Sequence, residues 1–158
     1  MNILIAYCTK NGSTTEVAQA IARQLQEAGF SVEIQLSKKV KKLSEYDVLV
    51  VGAPIYSGRW LSGAHRILKK MSKMEPAKSP ILAVFALGPR RNEGPENWKV
   101  PQSQFDRALA RHPQLTPVSI ALFGGADPPK KSPRRDIRDW DVIRSWADEL
   151  ATIFKKEK

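Results

Sequence analysis

Residues 5–15 read IAYCTKNGSTT. An apolar run stops, and five hydroxyl or amide side chains follow within the seven residues from Thr9 to Thr15, with Lys10 and Gly12 among them. A turn leading from a strand into a helix needs one or two such residues. Ser13, Thr14, Thr15 and Glu16 also spell a capping box, which predicts Ser13 as the N-cap with Glu16 reaching back to it. One cap uses one hydroxyl. The surplus predicts an anion held by hydroxyls and by the free N–H groups at the positive end of the helix.

The spacing narrows the anion. No G-x-x-x-x-G-K-[ST] is present, so this is not a nucleoside triphosphate loop, and no G-x-G-x-x-G follows any apolar run. A single terminal phosphate, bound by hydroxyls without an obligatory lysine, fits best.

The rest of the chain supplies the frame. Residues 2–8, 47–54, 79–88 and 117–125 are nearly unbroken apolar runs bounded by turn formers, as in strands covered on both faces. Residues 31–36 alternate with period two. Between them lie helical spacings: Val17, Ile21, Leu25 and Ala28; Leu61, Ala64, Leu68 and Met71; residues 99–112; and Ile143, Ala147, Leu150 and Phe154. A helix after the second strand has weak support. The alternation predicts one α/β domain over residues 1–158, with a parallel sheet and helices on both faces. Residues 88–101 and 125–133 are rich in proline and read as long surface loops, which in compact domains are often functional.

The chain has 158 residues, enough for one substantial core, and 42% hydrophobic with 27% charged residues is an ordinary globular composition. No apolar run reaches the length of a membrane-spanning helix. The opening MNILIAYCTKNG has neither the charged start nor the small-residue cleavage site of a signal peptide. The single cysteine, Cys8, suits a reducing cytoplasm and reads as a small buried hydrophobe. His65 and His112 have no neighbouring ligand cluster in sequence, so no metal site is expected, and no side chain stands out as a catalytic acid, base or nucleophile.

At YCTKNGSTTEVAQAIA the sequence resembles the phosphate loop of the flavodoxins, whose pattern is roughly [ST]-x-[TN]-G-x-[ST] after the first strand. The resemblance spans nearly the whole chain. It implies a three-layer sandwich with a five-stranded parallel sheet of order 2-1-3-4-5, and FMN as cofactor. The phosphate would rest on Thr9, Lys10, Asn11, Gly12, Ser13 and Thr14. The flavin ring would lie between the loops leaving the third and fourth strands, against Pro54, Ile55, Tyr56, Ser57, Gly58, Trp60, Leu87 and Gly88, with Tyr56 as first stacking candidate and Trp60 as second. Trp98 is read as an anchor for the helix beside it.

Within that superfamily, VGAPIYSGRWLSGAHRILKKM, SPILAVFAL and the closing RDIRDWDVIRSWADELA are similar to segments of the menaquinone-dependent protoporphyrinogen oxidase family. That family carries a longer insertion before its last helix.

Charge is the outlier. Lysine plus arginine total 26 against 16 acidic residues, a net charge of +10. Flavodoxins that serve large reductases are usually acidic. Arg59, Arg90, Arg91, Lys130, Lys131, Arg134 and Arg135, with Lys10, all fall in loops that follow strands, at the expected flavin end. So many cations on one face repel one another unless an anion visits, which predicts a substrate or partner face for a small anionic molecule, a quinone or an acidic protein. Peripheral contact with anionic lipid at the inner membrane face is a further expectation. Arg66, Lys69, Lys70 and Lys73 form a helical stripe that reads as a solvated surface.

The leading function is an FMN-dependent redox protein, carrier or oxidoreductase, in the cytoplasm. The alternatives are an NAD(P)H-dependent quinone reductase, for which no nicotinamide site is visible, and a non-catalytic anion- or nucleic-acid-binding scaffold, against which the loop hydroxyls and the sparse aromatics in the basic runs both argue.

Overall fold

The computed structural model describes residues 1–157. The elements run β1 (Asn2–Tyr7), α1 (Ser13–Glu27), β2 (Ser31–Leu36), β3 (Val48–Tyr56), β4 (Arg59–Trp60), α2 (Ser62–Ser72), β5 (Ile81–Leu87), α3 (Glu96–Ala110), β6 (Ser119–Phe123) and α4 (Trp140–Lys156). Short 3-10 turns at Ser37–Lys39 and Pro76–Lys78 complete the connections. The weakly supported second helix is therefore a single tight turn.

The parallel sheet has the order β2-β1-β3-β5-β6, which is the expected 2-1-3-4-5 once β4 is set aside. That extra strand is a two-residue antiparallel hairpin arm on β3, pairing Tyr56 with Arg59 and Ile55 with Trp60. Its turn, Ser57 and Gly58, has φ of 50° and 77°, the twist that lets a two-residue loop reverse a strand.

Each apolar run is buried for the reason its pattern gives. Val17, Ile21 and Leu25 of α1 and Ile143, Ala147, Leu150 and Phe154 of α4 close one face of the sheet. Ala64, Ile67, Leu68 and Met71 of α2, with Phe105 and Ala108 of α3, close the other. The sheet reverses its order at β1 and β3: β2 extends it to one side, β5 and β6 to the other. In open α/β sheets, ligands seat beyond the carboxyl ends of the strands at such a switch point. The loops after β1, β3 and β5 meet there.

Candidate functional site

The loop after β1 is built around one glycine. Gly12 has φ 90°, a conformation strained for any other residue, and a side chain placed there would meet nothing within 4 Å. Gly12 is itself the N-cap of α1 and no side chain caps the helix. The capping box expected from sequence does not form. Ser13 lies inside the first turn, and Glu16 turns outward to accept from Arg138 Nη1 at 3.0 Å. The first-turn N–H groups of α1 are therefore left without a side-chain cap. Thr9 acts within the loop instead. Its Oγ1 accepts from Gly12 N–H at 2.8 Å and shapes the turn. Thr14 is fully buried, and its Oγ1 has no hydrogen-bond partner among the described residues. A buried hydroxyl left unpaired is costly and rare. It fits a ligand oxygen at this position.

Beside the loop opens a cleft of about 540 Å³, lined by Ile55, Tyr56 and Ser57 from the end of β3 and by Gly88, Pro89, Arg90, Arg91 and Asn97 after β5, with Pro101 and Arg135. Tyr56 is 38% exposed, and the Lys10 ammonium lies 4.7 Å from its ring centroid, so this contact joins the hydroxyl loop to the cleft. The structure thus brings Thr9–Thr14 of the loop, Ile55, Tyr56, Ser57 and Gly88 together. Pro54 and Leu87 face each other as register partners at the strand ends, and the Leu87 side chain is in the core.

Trp60 is a correction. It is 2% exposed, packs against Phe105 and His65, and its Nε1–H is spent on the Ala53 carbonyl at 3.1 Å. Period-two alternation in β4 turns Arg59 outward and Trp60 inward, so Trp60 offers no face to a flat ligand. Gly58 lies on the same far side of the hairpin turn. Trp98 does anchor the start of α3, donating from Nε1 to Asn92 Oδ1 at 3.1 Å.

The basic loops hold the larger surprise. Asp127, with a fully buried carboxylate, stands at their centre. Arg135 bonds it through Nε at 2.8 Å and Nη2 at 3.2 Å, while Arg90 Nη1 lies at 3.4 Å and Lys131 Nζ at 3.6 Å. Arg134 donates to the Asp127 carbonyl and reaches Asp136 at 3.5 Å. The Arg135 guanidinium, helped by the backbone N–H of Arg135, holds the Asp127 carboxyl well below the usual carboxylate range, against its burial. Four of the seven expected partner-face cations are therefore engaged with the chain's own carboxylates or carbonyls. Their mutual repulsion, read from sequence as a demand for an outside anion, is met largely from inside. Three cations share Asp127, so the face remains positive. Arg91 is mostly exposed and reaches Glu93 only at 4.0 Å, while Lys130 is exposed.

Arg138, which sequence reasoning passed over, couples this region to the hydroxyl loop. Its nearly buried guanidinium grips Asp136 through Nε at 2.9 Å and Nη2 at 2.7 Å, and Nη1 donates to the Ser13 carbonyl at 3.1 Å and to Glu16. Trp140 stacks 5.0 Å from it. The bidentate Asp136 contact holds Asp136 below its ordinary range and Arg138 above its own. The motif R-D-I-R-D-W was visible in sequence; its reach across 125 residues to Ser13 was not.

Cys8 is buried, shares a hydrogen bond with Ser37 Oγ at 3.1 Å, and its thiol is pushed up chiefly by burial, which suits the structural role expected. His65 and His112, remote in sequence, hydrogen-bond to each other at 2.8 Å. No group of three or more potential metal-ligating side chains occurs among the described residues. On α2, Lys70 reaches back to the carbonyls of Val40 and Lys41. Among the described residues, no helix is long and apolar enough to cross a membrane.

The model of the flavodoxin domain family matches residues 4–129. Protoporphyrinogen IX dehydrogenase [quinone] of Escherichia coli is 25% identical over 129 residues, which cover 80% of this chain and 69% of that protein. Among solved structures, a flavodoxin of Streptococcus pneumoniae TIGR4 superposes with TM-score 0.65 at 18% identity, covering 96% of this chain and 99% of that one. A flavodoxin of Pseudomonas aeruginosa gives TM-score 0.66 at 16% identity, covering 98% and 99%.

Proposed function

The chain belongs to the flavodoxin domain family, and on that premise we propose that it binds FMN and acts as a redox protein through it. The observation that carries this reading is Thr14: a buried, unpartnered hydroxyl in the uncapped first turn of α1, beside an open cleft with an exposed tyrosine. Ser13, Thr14 and the first-turn N–H groups would hold the phosphate, with Thr9 keeping the loop shaped. Backbone groups of residues 55–57 and 88–91 and the Tyr56 ring would border the flavin. Bound there, FMN supplies one- or two-electron transfer. The chain's own part is to seat the ring, exclude water from one side of it and set the charge around its rim. No side chain is required as acid or base.

The electron partner is a small anionic molecule or a quinone. Arg90, Arg91 and Arg135 line the same cleft, and the bacterial relative is named for a quinone. The same positive face suits the anionic membrane surface where a quinone resides.

The test is a titration of flavin-free protein with FMN and with riboflavin, followed by flavin fluorescence. Stoichiometric quenching by FMN is expected, with riboflavin much weaker. Replacing both Ser13 and Thr14 by alanine should weaken FMN about 100-fold while riboflavin changes little, since two bonds to a charged phosphate are lost. Equal losses for the two flavins, or no quenching by FMN, would overturn the reading.

A further inference from the structure

On the far side of the Ser57–Gly58 turn lies a second cleft, of about 320 Å³, whose walls include Arg59, His65, Gln104, Arg107 and Arg111. We propose that it is an oxyanion-binding site, built to take a carboxylate or phosphate group of a small molecule.

Three observations converge. First, Gln104, Arg107 and Arg111 fall at i, i+3 and i+7 on α3 and the residue after it, one helical stripe, and β4 sets Arg59 opposite them. Second, no carboxylate lines the cleft, and none of these three arginines has an ion pair among the described residues. The contrast with Arg90 and Arg135, which close on Asp127, is direct. Three guanidiniums facing one space without a counterion repel one another, and planar guanidinium forks are the side chains that best match carboxylate and phosphate oxygens.

Third, the floor is arranged to keep those donors available. Arg111 Nη1 lies 3.2 Å from His65 Nε2 and can only donate. His65 must therefore accept there, carry its proton on Nδ1 and donate to His112 Nε2 at 2.8 Å. Both imidazoles are neutral in this chain of bonds. Arg111 is oriented by a neutral acceptor that leaves its charge uncancelled, with the rest of its fork free for a ligand. Among the described residues, Arg59 and Arg107 make no hydrogen bond that would occupy them.

The site stands on its own residues. That the anchored molecule is the electron partner rests on the FMN reading: the turn between the clefts is only two residues wide, so a molecule held at Arg59 and Arg107 extends across it toward Tyr56.

The experiment is isothermal titration of the chain, saturated with FMN so that the hydroxyl loop is filled, with pyrophosphate and separately with citrate. The test variant is Arg59→Gln with Arg107→Gln, which removes two charges without cutting a hydrogen bond. The control is Lys69→Gln with Lys73→Gln, the same charge change on the exposed face of α2. Expected is saturable one-to-one binding of at least one probe, weakened about tenfold or more in the arginine variant and little changed in the control. Stronger binding of citrate points to a carboxylate ligand, of pyrophosphate to a phosphate ester. Absence of saturable binding at millimolar probe, or equal weakening in both variants, overturns the proposal. Should FMN not bind, the flavin-free chain gives the same comparison, because both variants retain the hydroxyl loop. Failure of one reading is thus separable from failure of the other.

Discussion

The loop after β1 and the loop after β6 border the same end of the sheet, and both looked from sequence like seats for an anion. They work in opposite ways. In the first, polar groups crowd together and one of them, Thr14 Oγ1, is left without a partner. In the second, cations crowd together and find one, Asp127, within the same loop. An unsatisfied polar group inside a fold points outward to a ligand. A satisfied cluster points inward to stability. Local density of one residue type does not distinguish these cases; the partner does.

Arg138 is where the two loops meet, and its removal puts the contrast under the greatest strain. Arg138→Ala strips Asp136 of its bidentate partner, leaving it the backbone N–H of residue 138 and Arg134 at 3.5 Å, and removes the guanidinium from the Ser13 carbonyl. It should cost about 3 kcal/mol of stability, read by urea unfolding. It should also weaken FMN more than riboflavin, because Ser13 belongs to the proposed phosphate seat. Loss of stability with the FMN-to-riboflavin ratio unchanged would show that the loops are independent.

Asp127→Asn probes the second loop alone. The amide keeps the shape but not the charge, so Arg90, Lys131 and Arg135 repel one another. Proteolysis within residues 124–138 should accelerate severalfold, and moderate salt should restore resistance by screening. Retained protection at low salt would mean that the backbone bridge between Ala126 and Asp136 suffices to hold the loop.

The gentlest probe, needing no substitution in the loops, is pH dependence. Burial, with Arg111 and His112 alongside, pushes the His65 imidazole down to about 4 from its ordinary 6.5. A depressed histidine leaves the unfolded chain binding more protons, so stability falls as pH drops from 6.5 towards 4, by about 2 kcal/mol. The Asp127 carboxylate, also depressed, keeps its contribution until the pH falls below its ordinary 3.8. Acid should therefore loosen the α2–α3 side before it frees the loop after β6. Trp60 beside His65 and Trp140 beside Arg138 provide the two fluorescence reporters, each read with the other three of the four tryptophans replaced by phenylalanine. Simultaneous transitions would contradict this order.

The fold was legible because its determinants are local or periodic. Apolar runs bounded by turn formers gave four of the five parallel strands, and period-two alternation gave β2. Stripes at helical spacing gave α1, α2 and α4, whose repeat residues are nearly all buried. The hairpin arm was not legible: two residues carry no period, and Arg59 with Trp60 read as loop until their pairing with β3 was seen. Trp60 was misplaced for that reason, and the capping box because Gly12, not Ser13, holds the cap position.

Residues adjacent along the chain, or repeating along an element, were enough to set the α/β layering, the hydroxyl-rich loop after β1 and the sign of the surrounding field. Tertiary structure alone decided which charges are spent. Arg90 meets Asp127 across 37 residues, His65 meets His112 across 47, and Arg138 meets Ser13 across 125. Whether a cation is a strut or a binding group depends on the distance to its nearest carboxylate in space, and no spacing along the chain records that distance.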